Sequence, residues 1–289
     1  MYAIYKREFR SYFTSMTGYV FLSGVLFFIG TYFMSLNLNN GFPFFSYVLA
    51  GGASTVYMFL VPILTMKSFA EERKAKTDQI LLTAPVPVQG IVMGKFLSMM
   101  SVVAITLGVC CFCPLIISGT HNWYPATDYA TIFAFFCMIA LYVSIGMFIS
   151  SCTDNQIIAA VLTFLFLLLI RFWDTLIGYI PATEMASAIG FGVLALIVGF
   201  LAYAISKNQV LGVAVAIVGL AVDVIWYLVN PAAFSGLITS VLKIFSSGDV
   251  LHNFAYSSVF DFGGIFYYLS VSGLFIFLTC QMIQKRRWN

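Results

Sequence analysis

The stretch from Lys67 to Lys95 reads KSFAEERKAKTDQILLTAPVPVQGIVMGK, and apolar runs of membrane length close in on both sides of it. The chain has 14 basic and 11 acidic residues, and eight of these 25 lie within that one stretch. It must face water, because an ionised side chain held in hydrocarbon is costly. Inside it, Phe69, Ile80, Leu81 and Leu82 interrupt the charges, and Pro85 and Pro87 stop the pattern before the next apolar run. The pattern predicts a short amphipathic helix with a proline-terminated end. A prolyl nitrogen has no proton to donate, and each proline pushes its predecessor toward extended backbone. An ordinary solvated loop would carry the same charge run.

Outward from this elbow the chain is apolar. Hydrophobic residues fill 61% of 289 positions and charged residues only 9%, against roughly 25% charged in a soluble domain. The fold class is therefore all-α, a polytopic helical membrane protein. Apolar runs fall at 18–36, 47–66, 88–118, 128–151, 155–180, 186–206, 209–229 and 263–284. Since about 20 residues cross the hydrocarbon core as a helix, these give about eight transmembrane helices. The pair 186–206 and 209–229, separated only by Lys207-Asn208, reads as an added hairpin.

Before the first run, Tyr2, Tyr5, Phe9, Tyr12 and Phe13 recur at helical spacing with Lys6, Arg7, Glu8 and Arg10 between them. This predicts an amphipathic helix over 1–16, lying on the membrane with its rings among the headgroups. The segment alternates charge and aromatic residues, so it does not read as a cleavable signal. With eight spans and the N-terminus inside, twelve of the fourteen basic residues fall on the cytoplasmic side and only Arg171 and Lys243 outside. That asymmetry predicts a multi-pass protein of the cell inner or plasma membrane with both termini cytoplasmic. The first half of the long external segment 230–262 alternates Leu237, Ile238, Val241, Leu242 and Phe245 with Ser and Lys243, which suits a helix lying on or dipping into the outer leaflet.

Several functions are excluded or weakened. A net charge of +3, with the basic residues at helix ends, does not suggest nucleic acid. Cys110, Cys111, Cys113, Cys137, Cys152 and Cys280 all lie in or beside apolar runs and read as small hydrophobic filler, so no metal site is expected. Gly90 to Phe96 approaches a phosphate-binding loop but has three intervening residues instead of four and lacks the Ser or Thr after Lys95. Gly90, Gly94 and Ser98 instead form a ladder of small residues, which lets helices approach closely in a bilayer. No catalytic cluster is visible.

Ionisable groups at membrane depth are functional candidates. Asp223 lies within the seventh run; it reads as a hydrogen-bonded structural carboxyl or as a substrate or ion group. Arg171 and Asp174, three apart near the outer end of the fifth run, would share one helix face and pair or snorkel.

The strings Ser68-Phe69-Ala70-Glu71-Glu72-Arg73, Gln79-Ile80-Leu81-Leu82-Thr83-Ala84-Pro85-Val86 and Gly94-Lys95 resemble the signature region of permease subunits of type-2 ABC exporters. The branch with gliding-motility and copper-processing permeases is the most similar. The resemblance extends to the amphipathic N-terminus and to the last span with its Lys285-Arg286-Arg287-Trp288 end. Where the family has a Gly-Thr-Leu-Glu-like step, this chain has Lys76-Thr77-Asp78-Gln79-Ile80, and the resemblance then implies a contact surface tuned to a particular ATPase.

The resemblance implies a single transmembrane permease domain over 1–289. In it, 1–16 is an interfacial elbow helix carrying Tyr5, Arg7, Phe9 and Arg10. Segment 67–87 is the cytoplasmic coupling helix, and 230–262 is partly re-entrant. Phe69, Glu71, Glu72, Arg73, Ile80, Leu81 and Leu82 would meet the partner ATPase, the Phe69 ring filling a cleft and the charges pairing around its rim. The expected partners are two ABC ATPase subunits, a second permease chain, identical or related, and the lipid bilayer. No cofactor is expected on this chain; ATP and Mg belong to the ATPase. The rival reading is a proton- or ion-coupled secondary transporter using Asp223. Such carriers often show internal repeats, and no clear repeat is present here.

Overall fold

In hydrocarbon an unpaired backbone N–H or C=O has no water to bond, so apolar runs form helices, which pair these groups within one segment. The computed structural model describes residues 1–77, 86–119, 124–244, 246 and 248–288, and among them every regular element is helical. In chain order these are α1 (Tyr2–Thr14), α2 (Met16–Phe33), α3 (Ser54–Thr65), α4 (Ala70–Lys74), α5 (Val88–Cys110), α6 (Phe112–Ser118) and α7 (Pro125–Cys152). There follow α8 (Gln156–Arg171), α9 (Trp173–Gly178), α10 (Glu184–Ser206), α11 (Gln209–Val229), α12 (Leu237–Lys243), α13 (Gly248–Tyr256) and α14 (Phe262–Trp288). A π-helical turn, Met34–Asn39, extends α2, and a helical turn and a second π-helical turn, Ser46–Val48 and Leu49–Ala53, lead into α3.

Among the described residues, six helical stretches are long and apolar enough to cross a membrane: Met16–Asn39, Ser46–Lys74, Val88–Ser118, Pro125–Cys152, Gln209–Val229 and Phe262–Arg287. The other two expected runs appear as shorter apolar helices, α8 and the Glu184–Phe200 part of α10. The fifth run, expected as one helix, breaks at Phe172, whose φ of −92° and ψ of 6° lie outside the helical basin. Beyond the break, the Trp173 indole Nε1 donates to the Leu242 carbonyl at 2.9 Å and ties α9 to α12.

The chain forms two compact units, 1–169 with 247–289, and 170–246. In the first, α7 is the central helix: 78% of its most apolar window is buried, a higher share than in any of the other five long stretches. Hydrophobic transfer does not drive helices together inside a bilayer, so packing contacts must hold such a core. Gly146 supplies one of them. A Cβ there would overlap the Thr65 side chain, so α3 and α7 cross where α7 has no side chain. Tyr142 and Tyr268, on α7 and α14, are fully buried, and Phe148 meets Phe275 with ring centroids 5.8 Å apart.

The second unit is the helical hairpin α10–α11 with α9, α12 and the turn Pro231–Phe234. Lys207, at φ 53°, ends α10 in the left-handed conformation, and Asn208 Oδ1 accepts from the Val210 N–H to open α11. A Cβ at Gly199 would stand 2.6 Å from Ala216 Cβ, so the two helices approach almost backbone to backbone. Phe234 is 2% exposed, with its ring against Phe191, Trp226 and Tyr227. The segment 230–262 is thus divided: its first part belongs to this unit, and α13 belongs to the first.

Candidate functional site

The polar elbow folds back on the membrane domain through one buried lysine. Lys95, in the second turn of α5, is 2% exposed. Its Nζ donates to the Ser68 carbonyl at 2.8 Å and stands 3.0 Å from Glu72 Oε1 and 3.3 Å from Glu8 Oε1. The ammonium also lies 5.2 Å from the centroid of the Phe69 ring, within cation–π range. Arg7 Nη2 reaches the same two carboxylate oxygens, at 2.6 Å from Glu8 and 3.0 Å from Glu72. Two cations and two anions drawn from α1, α4 and α5 therefore form one neutral clasp. Partial burial works against the Arg7 charge, but Glu8 and then Glu72 outweigh it and hold the guanidinium above its ordinary pKa.

The small-residue ladder explains how Glu8 gets there. A Cβ at Gly94 would meet Ile4 at 3.2 Å, so α1 can lie against α5 only because that side chain is missing. Seven residues along α5, the Ser101 hydroxyl meets the Tyr5 phenol at 2.9 Å. The rings of Tyr5 and Phe9 stack at 5.9 Å on α1, and Arg10 is exposed.

A second lock joins α4 to the end of α7. Ser150 Oγ accepts from the backbone N–H groups of Phe69 and Ala70, both at 3.1 Å, and donates to the Met66 carbonyl at 3.2 Å. These amides are among the orphan donors at the start of α4, and a serine on a distant helix caps them. In return Arg73 caps α7: its Nη1 donates to the Thr153 carbonyl at 3.1 Å, and its Nη2 donates to the Ser151 carbonyl. Arg73 Nη1 also pairs with Asp154 at 3.0 Å, and Arg286 of α14 approaches the same carboxylate oxygen at 3.7 Å. A guanidinium at a helix C-terminus meets both free carbonyls and the negative end of the dipole.

The expected contact residues therefore divide. Glu71, Lys74 and Lys76 are exposed. Glu72 turns inward to Lys95, and the Arg73 side chain is only 6% exposed. Phe69, expected to fill a cleft in a partner, is 7% exposed and covered within the chain by Lys95. Ile80, Leu81 and Leu82 lie outside the described residues. Beside the clasp, Ser11, Ser15, Lys67, Glu71 and Thr77 help to line a cleft of about 290 Å³.

The intramembrane candidates do not converge. Because the helix breaks at Phe172, Arg171 and Asp174 lose the shared face that an unbroken helix would give them, and no ion pair links them. Asp223 is half-buried on the inner side of the hairpin, its Oδ2 3.7 Å from where a Cβ of Gly192 would be. Sequence reasoning passed over Asp128, which is fully buried in the first turn of α7. Its Oδ1 accepts from the Ser46 N–H at 2.9 Å, and its Oδ2 has no hydrogen-bond partner. An acid just after Pro125 at a helix start was the available signal. Glu8 and Ser150 gave weaker ones, since only the fold brings them to the elbow, and Lys95 ends the elbow with no spacing that marks Glu72 as its partner.

A family model described as ABC-2 family transporter protein matches residues 41–204, more than half of the chain, including the whole polar elbow. Comparison with curated proteins and with solved structures gives no match.

Proposed function

The chain belongs to the ABC-2 transporter family, and from that premise we propose that it works as the membrane subunit of an ATP-driven exporter whose energy comes from a separate ATPase. The family is one of transport permeases, not catalytic domains, and this chain is a multi-pass membrane protein. In the proposed complex two permease chains, identical or related, form the pathway, and two ATPase subunits carry ATP and Mg. Segment 67–87 is the coupling element and 1–16 the elbow helix. The two shorter apolar helices complete eight spans, both termini face the cytoplasm of an inner or plasma membrane, and 230–262 is partly re-entrant. The branch with gliding-motility and copper-processing permeases is the one whose signature the elbow resembles most.

One observation carries this reading: the clasp of Lys95 with Glu8 and Glu72, backed by Arg73 and Ser150 on α7. Among the described residues these contacts tie α4 to α1, α5 and α7. Separating Glu72 from Lys95 would break the charge balance of a buried cluster and leave Lys95 with Glu8 alone, and breaking a buried pair costs about 3–5 kcal/mol. Displacement of α4 therefore moves α1, α5 and α7 together, and α7 is the packing centre of its unit. The exposed groups left for an ATPase are Glu71, Lys74 and Lys76, with Ile80, Leu81 and Leu82 as the proposed apolar part of the same contact. A carrier driven through Asp223 is not favoured by the family.

Purification from native membranes tests the proposal. An ABC ATPase should accompany the permease, and a single cysteine at Lys74 or Lys76 should crosslink to it. Transport that proceeds without ATP, with no ATPase in the complex, would overturn it.

A further inference from the structure

We propose that the groove between the start of α5 and the last turns of α14 binds one anionic phospholipid from the surrounding bilayer. It encloses about 770 Å³ and runs along α14 from Gly273 to Arg287. At the helical rise this is about 20 Å, and one leaflet of hydrocarbon is about 15 Å thick, so the groove is long enough for a headgroup and an acyl chain. Its depth follows from the sequence: α14 passes from apolar residues to Lys285-Arg286-Arg287 at one end of the groove, and the apolar run of α5 begins at the same end. The inner wall is made by Met93, Gly273 and Phe277, and a Cβ at Gly273 would touch nothing within 4 Å. That wall is open and apolar. The polar part of the lining is Gln89, Gln281, Gln284 and Arg287.

Charge decides which lipid. Arg286 is engaged by Asp154, but Arg287 is exposed and makes no ion pair among the described residues. Among the described residues, no carboxylate lines the groove. A zwitterionic headgroup would bring its ammonium next to Arg287 with no acid to receive it. A phosphodiester without that ammonium meets a guanidinium and glutamine amide donors, and basic residues between transmembrane helices near the membrane surface bind such headgroups. The inference is independent of ATPase coupling.

The test uses the full chain in nanodiscs of mixed phosphatidylglycerol and phosphatidylcholine, with retained lipid counted by native mass spectrometry after release into detergent. The wild type should retain phosphatidylglycerol in excess. Arg287→Gln should reduce that enrichment about fivefold, the worth of one basic group at a membrane surface. Gly273→Leu fills the inner wall and should lower retention of both lipids. Lys285→Gln, a basic neighbour that does not line the groove, should change nothing, and all variants should remain monodisperse. Equal retention of the two lipids by the wild type overturns the proposal. So does an equal loss in Lys285→Gln, which would indicate diffuse attraction. A chain dimer that Gly273→Leu dissociates without loss of lipid would assign the groove to a second copy instead.

Discussion

Lys95 and Glu72, on opposite flanks of the polar elbow, meet at 3.0 Å in a place where the lysine is 2% exposed. An ion pair this dry is held by its geometry, and removing one partner is far more damaging than its net worth suggests. Lys95→Met should therefore lower stability by about 3–5 kcal/mol, read as a fall in the midpoint of thermal unfolding in detergent. Adding Glu72→Gln should restore part of the loss, because the second carboxylate no longer lacks its cation. Single and double variants with strictly additive losses would show that the two residues do not interact.

Glu71 and Glu72 are adjacent and should behave oppositely. Glu71 is exposed, so Glu71→Lys should weaken assembly with the ATPase, or ATP hydrolysis linked to transport, without changing permease stability. Glu72→Lys puts a third cation beside Arg7 and Lys95 and should destabilise the permease itself. Phe69→Ala removes a buried ring and should cost about 3–5 kcal/mol of stability. Stability that is unaffected in Phe69→Ala, with ATPase binding lost, would mean the ring turns outward to a partner.

Arg73 depends on its fork, since separate nitrogens reach Ser151 and Thr153. Arg73→Lys keeps the charge but cannot serve both carbonyls. Faster amide hydrogen exchange is expected at the end of α7 and in α4, with a stability loss of about 1–3 kcal/mol. Protection equal to wild type would show that the cap is dispensable.

Topology can be read by single-cysteine labelling in a cysteine-free background. Positions 76, 207 and 285 should be shielded from an impermeant reagent in intact cells, and position 258 should be reached. If the α10–α11 hairpin stays outside the bilayer, position 207 will label, and the number of spans falls to six.

Asp223 faces Gly192 within its own hairpin. Asp223→Asn preserves hydrogen-bonding capacity and should retain transport, whereas Asp223→Leu should lower detergent stability. Loss of transport in a well-folded Asp223→Asn protein would instead give the carboxylate an ion or substrate role.

The sequence by itself determined the helical class, the polar elbow, the hairpin turn at Lys207-Asn208 and the small-residue ladder at Gly94. Each of these follows from local chemistry: composition, charge clustering, or a side chain too small to hold helices apart. Tertiary structure alone decided what the elbow charges do. Read in order, Glu71, Glu72 and Arg73 form one exposed patch; in the fold, Glu72 turns to Lys95, Arg73 to the end of α7, and only Glu71 stays in water. Their partners, Arg7 and Lys95 for Glu72 and the end of α7 with Asp154 for Arg73, lie far from them along the chain, and no spacing rule connects them. Burial within the membrane was equally hidden. The long stretches containing α7 and α11 are both strongly apolar, yet 78% of one window is buried and 6% of the other. A bilayer rewards apolar surface whether or not protein covers it, so hydrophobicity identifies the spans, and only packing determines which of them forms the core.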